Sequence, residues 1–289
     1  MSRPLRAWLF VPGNRPERFA KALASGADAV IIDLEDAVSP DAKSAARDAL
    51  ANWLRDVRPA DANSNANANG SSNVPVWVRI NAADTVWFDD DLAIVASPGL
   101  AGVMLPKAEG DSTVRQLVAT GAAHVLPLIE SAAGFDQLRV IARAAGVARL
   151  AFGSIDLQVD LGMRDASEDE LLWFRSEIVM ASRLAGIAAP IDGVSTTLDD
   201  AEQIRVDVLR ARRLGFGAKL CIHPRQVDLV QRHFAPSPAE VDWARRVIAA
   251  DAASGGEAVA VDGKMVDRPV VLKAQRILAQ AARKPLNNP

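Results

Sequence analysis

The chain has one cysteine, little net charge and no long apolar run, and each shortage excludes a class of protein. A single cysteine, Cys221, excludes an intrachain disulfide and a zinc site built from several cysteines, as expected in a reducing cytoplasm. Cys221 lies in an apolar run, so we expect it in the core. The formal net charge of −3 argues against nucleic acid and anionic membrane as main partners. No apolar run approaches the roughly 20 residues that cross a bilayer.

The N-terminal residues 1–4 run directly into strand-like sequence, without a charged and apolar leader. We therefore expect a soluble, cytoplasmic protein. With 289 residues, of which 49% are hydrophobic, the chain is long enough to bury a sizeable core in one large domain or two.

Short apolar runs rich in Val, Leu and Ile alternate with helical patterns along most of the chain. The runs that predict buried strands cover residues 7–11, 29–32, 76–81, 102–105, 125–130, 150–156, 189–191 and 217–222. The helical patterns between them cover residues 16–24, 41–54, 92–95, 112–119 with Ser112 as N-cap, 167–184 and 198–214. About eight strand-helix units predict a (β/α)₈ TIM barrel, which typically takes roughly 250 residues. A doubly wound open sheet gives a similar pattern, but no Gly-x-Gly-x-x-Gly follows the first strand.

The two ends of this pattern suggest a barrel followed by an appendage. We assign residues 1–253 to the barrel, including a surface loop over the Asn-, Ala- and Ser-rich residues 59–73 and a helix over 237–253. Residues 254–289 follow the eight units and end in another helix. We expect this tail to form a C-terminal lid or an arm that crosses to another subunit.

Nearly every predicted strand is apolar and finishes with a polar side chain. These side chains are Asp33, Glu35, Asp36, Arg79, Asn81, Lys107, Glu130, Asp156, Asp192 and His223. In a (β/α)₈ barrel the carboxyl ends of the strands converge on the face that holds the active site. One alternative explanation is that any strand must end in a polar residue, and it accounts for part of this pattern. It does not readily explain isolated charges that directly follow buried runs.

Glu130 and Asp156 follow two consecutive central strands. Taken singly, either acid could cap a helix or begin a turn. Taken together at the mouth of a barrel, they could share one hard divalent cation, for which Mg²⁺ is our first choice. Arg79 suits a third role, because its planar fork matches the carboxylate of a substrate.

Seven segments carry a family resemblance that runs in order along almost the whole chain. They are RAWLFVPGN (6–14), IDLEDAV (32–38), VRIN (78–81), MLPK (104–107), LIE (128–130), FGSID (152–156) and IHP (222–224). These segments resemble motifs of the citrate lyase beta subunit-like proteins of the HpcH/HpaI aldolase superfamily, which also holds malyl-CoA and citramalyl-CoA lyases. The resemblance implies a Mg²⁺-dependent carbon-carbon lyase on a TIM barrel. Such an enzyme cleaves a 3-hydroxyacyl-CoA, such as citryl-, malyl- or citramalyl-CoA, to acetyl-CoA and a 2-oxoacid.

The resemblance also implies roles for residues of the barrel. Glu130 and Asp156 would be metal ligands, and Arg79 would hold the carboxylate of the oxoacid. Glu35 and Asp36 would order the water molecules on the metal. Further candidates for binding the substrate, besides Arg79 and Glu130, are Lys107 and His223.

Two further sets of candidates come from the resemblance. Gly263-Lys-Met-Val-Asp267 is similar to a C-terminal motif whose aspartate crosses from a neighbouring subunit as acid/base, so Asp267 is a candidate catalytic group. A helix cap beside Pro269 is an equal alternative for Asp267. Basic residues on the first helix of relatives make Arg15, Arg18 and Lys21 candidates for binding CoA, although they could equally form a solvated face.

Three interpretations of the whole chain follow. The first is the acyl-CoA lyase, as a homo-oligomer (trimer or hexamer) or as a subunit of a citrate lyase complex, with an acyl-CoA thioester and a 2-oxoacid as its ligands. The second is an HpcH-type aldolase that acts on a free hydroxy-oxoacid without CoA. The third is a non-catalytic barrel scaffold, which the presence of all three candidates Arg79, Glu130 and Asp156 argues against.

Overall fold

A computed structural model describes residues 5–57, 74–254 and 259–282. The loop predicted over residues 59–73 lies outside them. The chain separates into two compact units, one of Leu5–Val230 and one that begins at Gln231, and each is described by itself. This division lies earlier than the predicted domain boundary after residue 253.

The unit Leu5–Val230 is a closed barrel, as the alternating pattern predicts. Within the described ranges its eight strands are all parallel, and each pairs with the next along the chain. Strand β8 closes the barrel on β1 through the pairing of Leu220 with Trp8. The strands are β1 (Ala7–Pro12), β2 (Ala29–Asp33), β3 (Val76–Arg79), β4 (Leu100–Leu105), β5 (Val125–Ile129), β6 (Ala151–Phe152), β7 (Ile191–Asp192) and β8 (Ala218–Cys221). The open doubly wound sheet is therefore excluded.

Helices follow the strands around the barrel. Two short 3₁₀ helices, Pro16–Arg18 and Pro40–Ala42, lead into the first two α-helices. The α-helices are α1 (Phe19–Leu23), α2 (Lys43–Val57), α3 (Phe88–Val95), α4 (Asp111–Thr120), α5 (Ala132–Asp136), α6 (Leu138–Arg143), α7 (Ser154–Asp160), α8 (Leu172–Ala185), α9 (Ala201–Leu214) and α10 (Pro224–Phe234).

Alternate residues of the strands fill the inside of the barrel, because successive side chains of a strand point to opposite faces. The interior combines the large rings of Trp8 and Trp77, whose centroids are 5.3 Å apart, with small residues such as Ala29, Ala151 and Ala218. This pairing of large and small residues fills the interior beneath the carboxyl ends of the strands. Cys221 is fully buried, as its apolar setting predicts.

Several element boundaries differ from the predictions. The sixth strand ends at Phe152, so Asp156 lies in the first turn of α7 rather than at the end of a strand. Helix α4 begins at Asp111 with Gly110 as its N-cap, so the assignment of Ser112 as the cap was wrong. Helix α8 begins at Leu172, several residues after the predicted start. Helices α5, α6, α7 and α10 were not predicted.

The unit that begins at Gln231 is built on two helices and a hairpin. Ser237 and Glu240 form a capping box at the start of α11 (Pro238–Ala253), which confirms the helix predicted there. Strands β9 (Val259–Val261) and β10 (Lys264–Val266) form an antiparallel hairpin that was not predicted. Asp267 then caps α12 (Arg268–Ala281) by accepting the Val270 N–H at 3.3 Å.

Both helices contribute apolar side chains to one small core in this unit. Its buried members are Ala244, Val247, Val266, Val271, Ala274 and Ile277. Among all the residues that the structure describes, no helix combines the length and apolarity needed to cross a membrane.

Candidate active site

A cleft of about 380 Å³ lies at the carboxyl ends of the barrel strands. Charged and apolar side chains both line it. The charged lining side chains are Asp33, Asp36, Arg79, Glu130 and Asp156. The larger apolar side chains are Phe10, Leu128, Phe152, Ile155, Val194, Leu220 and Ile222. Arg79, Glu130 and Asp156, which the sequence singled out, therefore lie on one cleft.

Arg79 is the last residue of β3, and Asp33 of the neighbouring strand β2 holds its guanidinium group. Nε and Nη2 of Arg79 donate to the two carboxylate oxygens of Asp33 at 2.7 and 2.6 Å. The ring of Phe10 stacks on the same guanidinium group, with its centroid 4.9 Å away. Burial works to lower the pKa of Arg79, but the adjacent carboxylates, Asp33 above all, outweigh it and raise that pKa. Arg79 looked isolated in the sequence and is in fact fixed by a partner.

Glu35 follows β2 and lies against the remaining nitrogen of Arg79. Its Oε2 is 2.9 Å from Nη1 of Arg79, but the direction is wrong for a hydrogen bond, and no described group donates one to this buried oxygen. Burial raises the pKa of Glu35 to about 7, and the charges of Asp36 and Asp33 add to that effect. Asp36 is exposed and lies 3.3 Å from the same Nη1. Glu35 thus keeps an unsatisfied oxygen in an acidic environment.

Glu130 directly follows β5 and is buried. Its Oε1 accepts the Lys107 N–H at 2.8 Å, and Ser131 rather than Glu130 caps helix α5. The other oxygen faces Gly153, where a Cβ atom would lie only 2.4 Å from Oε2. Burial raises the pKa of Glu130 to about 8, with further contributions from the charges of Glu35 and Asp156.

Asp156 lies on the exposed first turn of α7, and the strand-to-helix turn at Gly153 brings it to the cleft. The described residues contain no group of three or more His, Cys, Asp or Glu side chains arranged to hold a metal ion. The two acids predicted as metal ligands, Glu130 and Asp156, both line the cleft. That donor set fits Mg²⁺, which usually takes one or two carboxylates and keeps several waters. The unsatisfied oxygen of Glu35 and the raised pKa values of Glu35 and Glu130 also fit a cation beside them.

Glu35 and the other predicted residues lie outside the lining of this cleft. The side chain of Lys107 is exposed, and only its backbone contacts Glu130. His223 accepts the Arg225 N–H with Nδ1 at the start of α10. The basic candidates Arg15, Arg18 and Lys21 are exposed. Arg15 pairs with Glu17. Asp267 lies in the unit that begins at Gln231, where it caps α12.

Sequence reasoning assigned no role to Asp33, Gly153 or Lys43. Asp33 was recognised as a strand end but not as the partner of Arg79, because pairing across two strands leaves no trace in local spacing. Gly153 stands between an apolar strand and an acid, a position where glycine signals a close approach of backbone and side chain. Lys43 is a cation at the start of a helix, where the helix dipole disfavours it, and that conflict was an available signal.

The fold and the cleft define a class of protein: a (β/α)₈ barrel with an acidic cleft and one fixed arginine at the carboxyl ends of its strands. The chain belongs to the HpcH/HpaI aldolase/citrate lyase family, whose sequence profile matches residues 6–224.

Individual relatives are similar over nearly their whole length. A citrate lyase subunit beta-like protein of Deinococcus radiodurans is 39% identical over 289 residues, which cover 96% of this chain and 98% of that protein. A (3S)-malyl-CoA thioesterase of Cereibacter sphaeroides is 31% identical, and the match covers 97% of this chain and 95% of that protein. A crystal structure of CitE from Mycobacterium tuberculosis, in complex with magnesium, acetoacetate and coenzyme A, matches with a TM-score of 0.82 and 35% identity. That match covers 96% of this chain and 98% of the CitE chain.

Proposed function

We propose that the chain is a Mg²⁺-dependent carbon-carbon lyase that cleaves a 3-hydroxyacyl-CoA to acetyl-CoA and a 2-oxoacid. Citryl-CoA, malyl-CoA and citramalyl-CoA are the candidate substrates. The observation that carries this proposal is the position of Glu130, Asp156 and Arg79 on one cleft. The magnesium and coenzyme A bound by CitE of Mycobacterium tuberculosis support it, and that coenzyme A disfavours the CoA-independent aldolase.

Glu130 and Asp156 would hold the metal, and Glu35 and Asp36 would order its water molecules. Mg²⁺ at this position supplies positive charge to the oxygen of the substrate that becomes the carbonyl of the oxoacid. Glu130 is buried and its Oε1 is fixed by the Lys107 N–H, so Oε2 is the oxygen left to contact a cation. This arrangement keeps the ligand in one orientation before the substrate arrives.

Arg79 would bind the carboxylate of the oxoacid portion. Asp33 occupies its Nε and one Nη2 hydrogen, and Nη1 donates to Asp36 at 3.3 Å, so the second hydrogens of Nη1 and Nη2 are left for a substrate. A carboxylate that binds there would compete with Glu35 and Asp36 for the Nη1 edge. The large apolar residues, such as Leu128, Phe152 and Leu220, provide the environment for the acyl chain.

The cleavage needs two proton movements. The bond between C2 and C3 of the acyl chain breaks, its electron pair passes to the thioester enolate, and the C3 hydroxyl loses a proton as it becomes a carbonyl. A proton must then reach C2 of the enolate to give acetyl-CoA. Asp267 is our candidate for this acid/base, acting from a neighbouring copy of the chain. Its role and the homo-oligomer, a trimer or hexamer, are proposals that rest on the resemblance of residues 263–267.

The test incubates the purified protein with Mg²⁺ and malyl-, citramalyl- or citryl-CoA and separates the products by liquid chromatography. We expect acetyl-CoA and the matching oxoacid from at least one substrate, and no turnover after the metal is removed with a chelator. Free CoA together with the hydroxy acid would instead indicate hydrolysis of the thioester, the activity named for the Cereibacter sphaeroides relative. No turnover of any substrate would contradict the proposal.

Glu130→Ala and Asp156→Ala should each abolish Mg²⁺-dependent turnover while the fold stays intact by circular dichroism. The matched control is Asp160→Asn, which changes an acid on the same helix as Asp156 that lies outside the cleft lining. Asp160 accepts the Ala132 N–H, so the control loses some stability but should keep its activity. Undiminished turnover in either alanine variant would refute the assignment of the ligands.

Complementation tests the action of Asp267 across subunits. Arg79→Ala and Asp267→Ala should each be inactive alone, since each removes a different part of every site. After the two are mixed and allowed to exchange subunits, some sites should combine an intact Arg79 with an intact Asp267, and activity should return. Continued inactivity of a mixture that is shown to exchange would argue against Asp267 as a group supplied by a neighbour.

A further inference from the structure

We propose that Lys43 is a positioning residue that fixes the loop of residues 34–37, and through it Glu35 and Asp36, beside Arg79. This inference rests on the proposed function only where turnover is the readout. Lys43 lies on α2, outside the cleft lining, and carries no role in the reaction proposed above.

Within the described part of the chain, the ammonium group of Lys43 donates its hydrogen bonds to the backbone of this loop. Nζ donates to the carbonyl oxygens of Leu34 and Glu35 at 2.8 and 2.7 Å. The residue is 6% exposed, and Nζ lies 5.0 Å from the centroid of the Trp87 ring. Two carbonyls and an aromatic face therefore hold a buried cation in one position.

Asp33 holds the same loop through its N–H groups. Its two carboxylate oxygens accept the N–H of Glu35 at 2.9 Å and that of Ala37 at 3.1 Å. The Leu34 N–H donates to the backbone oxygen of Arg79 at 2.9 Å. The N–H groups of Leu34, Glu35 and Ala37 are thus held by Arg79 and Asp33, whereas Lys43 holds the carbonyls of Leu34 and Glu35, the second of which also accepts the Val38 N–H at 3.0 Å. Lys43 thus links the loop to helix α2 through hydrogen bonds of its side chain.

The position of Lys43 is energetically unfavourable for the helix itself. It is the first residue of α2 and follows the 3₁₀ helix Pro40–Ala42, so it lies near the start of this helical segment, where the partial positive charge of the helix end repels a cation. Burial also lowers its pKa, although the charges of Asp33 and Glu35 act in the opposite direction. Lys43 thus destabilises the start of its own helix, while its ammonium group is hydrogen-bonded to the neighbouring loop. We infer that its role is to hold that loop.

One turn further along α2, Arg47 makes a similar connection to the next strand. Arg47 donates to Asp91 at 2.9 Å, and Asp91 accepts both the backbone and the side-chain N–H of Asn81, which follows β3. Lys43 and Arg47, four residues apart, lie on one face of α2. Helix α2 is therefore linked to the loop after β2, which carries Glu35 and Asp36, and through Asp91 to Asn81, which follows the strand that ends at Arg79.

Loss of Lys43 should release Glu35 and Asp36 without releasing Arg79, because Asp33 still holds the guanidinium group. The expected kinetic effect is a fall in kcat of about 10- to 100-fold with KM within about threefold, since substrate binding is retained while the positioned acids are lost. Lys43→Met removes the donors but keeps an unbranched side chain over Trp87.

Arg149→Met is the matched control. Arg149 is also a buried cation that donates to backbone carbonyls, those of Leu5 and Ala189, and stacks on a tryptophan, Trp8. It precedes β6 and so lies at the opposite end of the barrel from the cleft. This variant should lose stability as Lys43→Met does, but kcat and KM should stay within about twofold of the wild type below the unfolding transition.

Hydrogen exchange gives a readout that does not depend on turnover. In Lys43→Met the amides of residues 34–38 should exchange at least about tenfold faster, and in Arg149→Met they should keep the wild-type rate. Should Lys43→Met fail to fold, Lys43→Gln, whose shorter amide cannot reach both carbonyls, is measured in its place. Unchanged exchange in the lysine variant, or equal loss of kcat in both variants, would overturn the inference. If the wild type cleaves no acyl-CoA, the proposed function fails and the exchange measurement alone decides the role of Lys43.

Discussion

At the scale of single residues, the pair of Arg79 and Asp33 determines the geometry of the cleft. The two hydrogen bonds are parallel and buried, which is the geometry in which a guanidinium group and a carboxylate interact most strongly. The ring of Phe10 supports the same guanidinium group. Arg79 is thus oriented before any substrate binds, with its Nη1 edge beside Glu35 and Asp36.

The role of Asp33 leads to a prediction for Asp33→Asn. The amide offers one acceptor where the carboxylate offers two, and it removes the negative charge that pairs with Nε and Nη2 of the buried guanidinium group. We expect KM for the acyl-CoA substrate to rise at least about tenfold, because Arg79 no longer presents a fixed edge to the carboxylate. Steady-state kinetics measures the change.

Asp28→Asn provides the control for this prediction. Asp28 is also a buried aspartate beside β2, but it lies at the opposite end of that strand. There it accepts the N–H groups of Arg6 and Ala7, each at 2.9 Å. An asparagine oxygen can still accept both, so KM should stay close to that of the wild type. A normal KM in Asp33→Asn would show that Arg79 does not depend on this partner.

Sequence reasoning at this scale succeeded where position along a strand was enough. Arg79, Glu130 and Asp156 were placed on one face because the carboxyl ends of parallel strands converge, and all three line the cleft. The contacts of Asp33 and Lys43 could not be predicted, since they depend on side-chain directions between elements. The roles assigned to Lys107, His223 and the basic first helix remain predictions.

At the scale of elements, the turn between β6 and α7 decides how closely Asp156 and Glu130 approach one site. Gly153 N–H donates to the Ile129 oxygen at 3.0 Å, which holds this turn against the end of β5. A side chain at Gly153 would occupy the space of the Glu130 carboxylate. The turn can therefore bring α7 to the cleft only with glycine at this position.

Gly153→Ala should accordingly displace Glu130 and weaken Mg²⁺ binding at least about tenfold, with a loss of stability of about 1–3 kcal/mol. Titration calorimetry measures the first effect and chemical denaturation the second. The control is Gly110→Ala, where an added Cβ has no neighbour closer than 4.0 Å. Wild-type affinity for Mg²⁺ in Gly153→Ala would mean that the carboxylate of Glu130 is not the ligand.

Element boundaries were predictable where an apolar run is long. The predictions failed where contacts between elements determine where a strand or helix ends. Strand β6 has two residues because Gly153 turns the chain at once into α7, a change that an apolar run through Ile155 conceals. The hairpin β9–β10 was missed although its turn, Asp262-Gly263, has positive φ at both residues, as the Asp-Gly signal for a tight hairpin requires.

At the scale of the whole molecule, the metal-free protein carries two buried carboxyl groups with raised pKa values, Glu35 at about 7 and Glu130 at about 8. In the unfolded chain both groups titrate near their ordinary value of 4.5. Between that pH and about 8 the folded protein binds more protons than the unfolded chain, so its stability falls as pH rises.

The comparison of the wild type with Glu35→Gln isolates this effect. Without metal, the wild type should lose roughly 2–4 kcal/mol of unfolding free energy relative to the variant as pH rises from about 4.5 to about 8. Saturating Mg²⁺ should remove most of that difference, because a cation favours the ionised carboxylate. Urea denaturation over this pH range measures both. A constant difference between wild type and variant would show that Glu35 titrates normally.

The barrel was predictable because eight repeats of strand and helix agree with one another, so errors at single boundaries do not change the topology. The division into compact units was less predictable. The unit that begins at Gln231 takes in α11, which the repeat pattern had assigned to the barrel. Sequence periodicity identifies a helix but does not show against which core its apolar face packs.

A calorimetric titration of Mg²⁺ into the metal-free protein tests most directly the claim that Glu130 and Asp156 share one divalent ion. We predict one site per chain in the wild type, with affinity reduced at least about tenfold in both Glu130→Gln and Asp156→Asn and unchanged in the control Asp160→Asn. Wild-type affinity in either of the first two variants would contradict the claim.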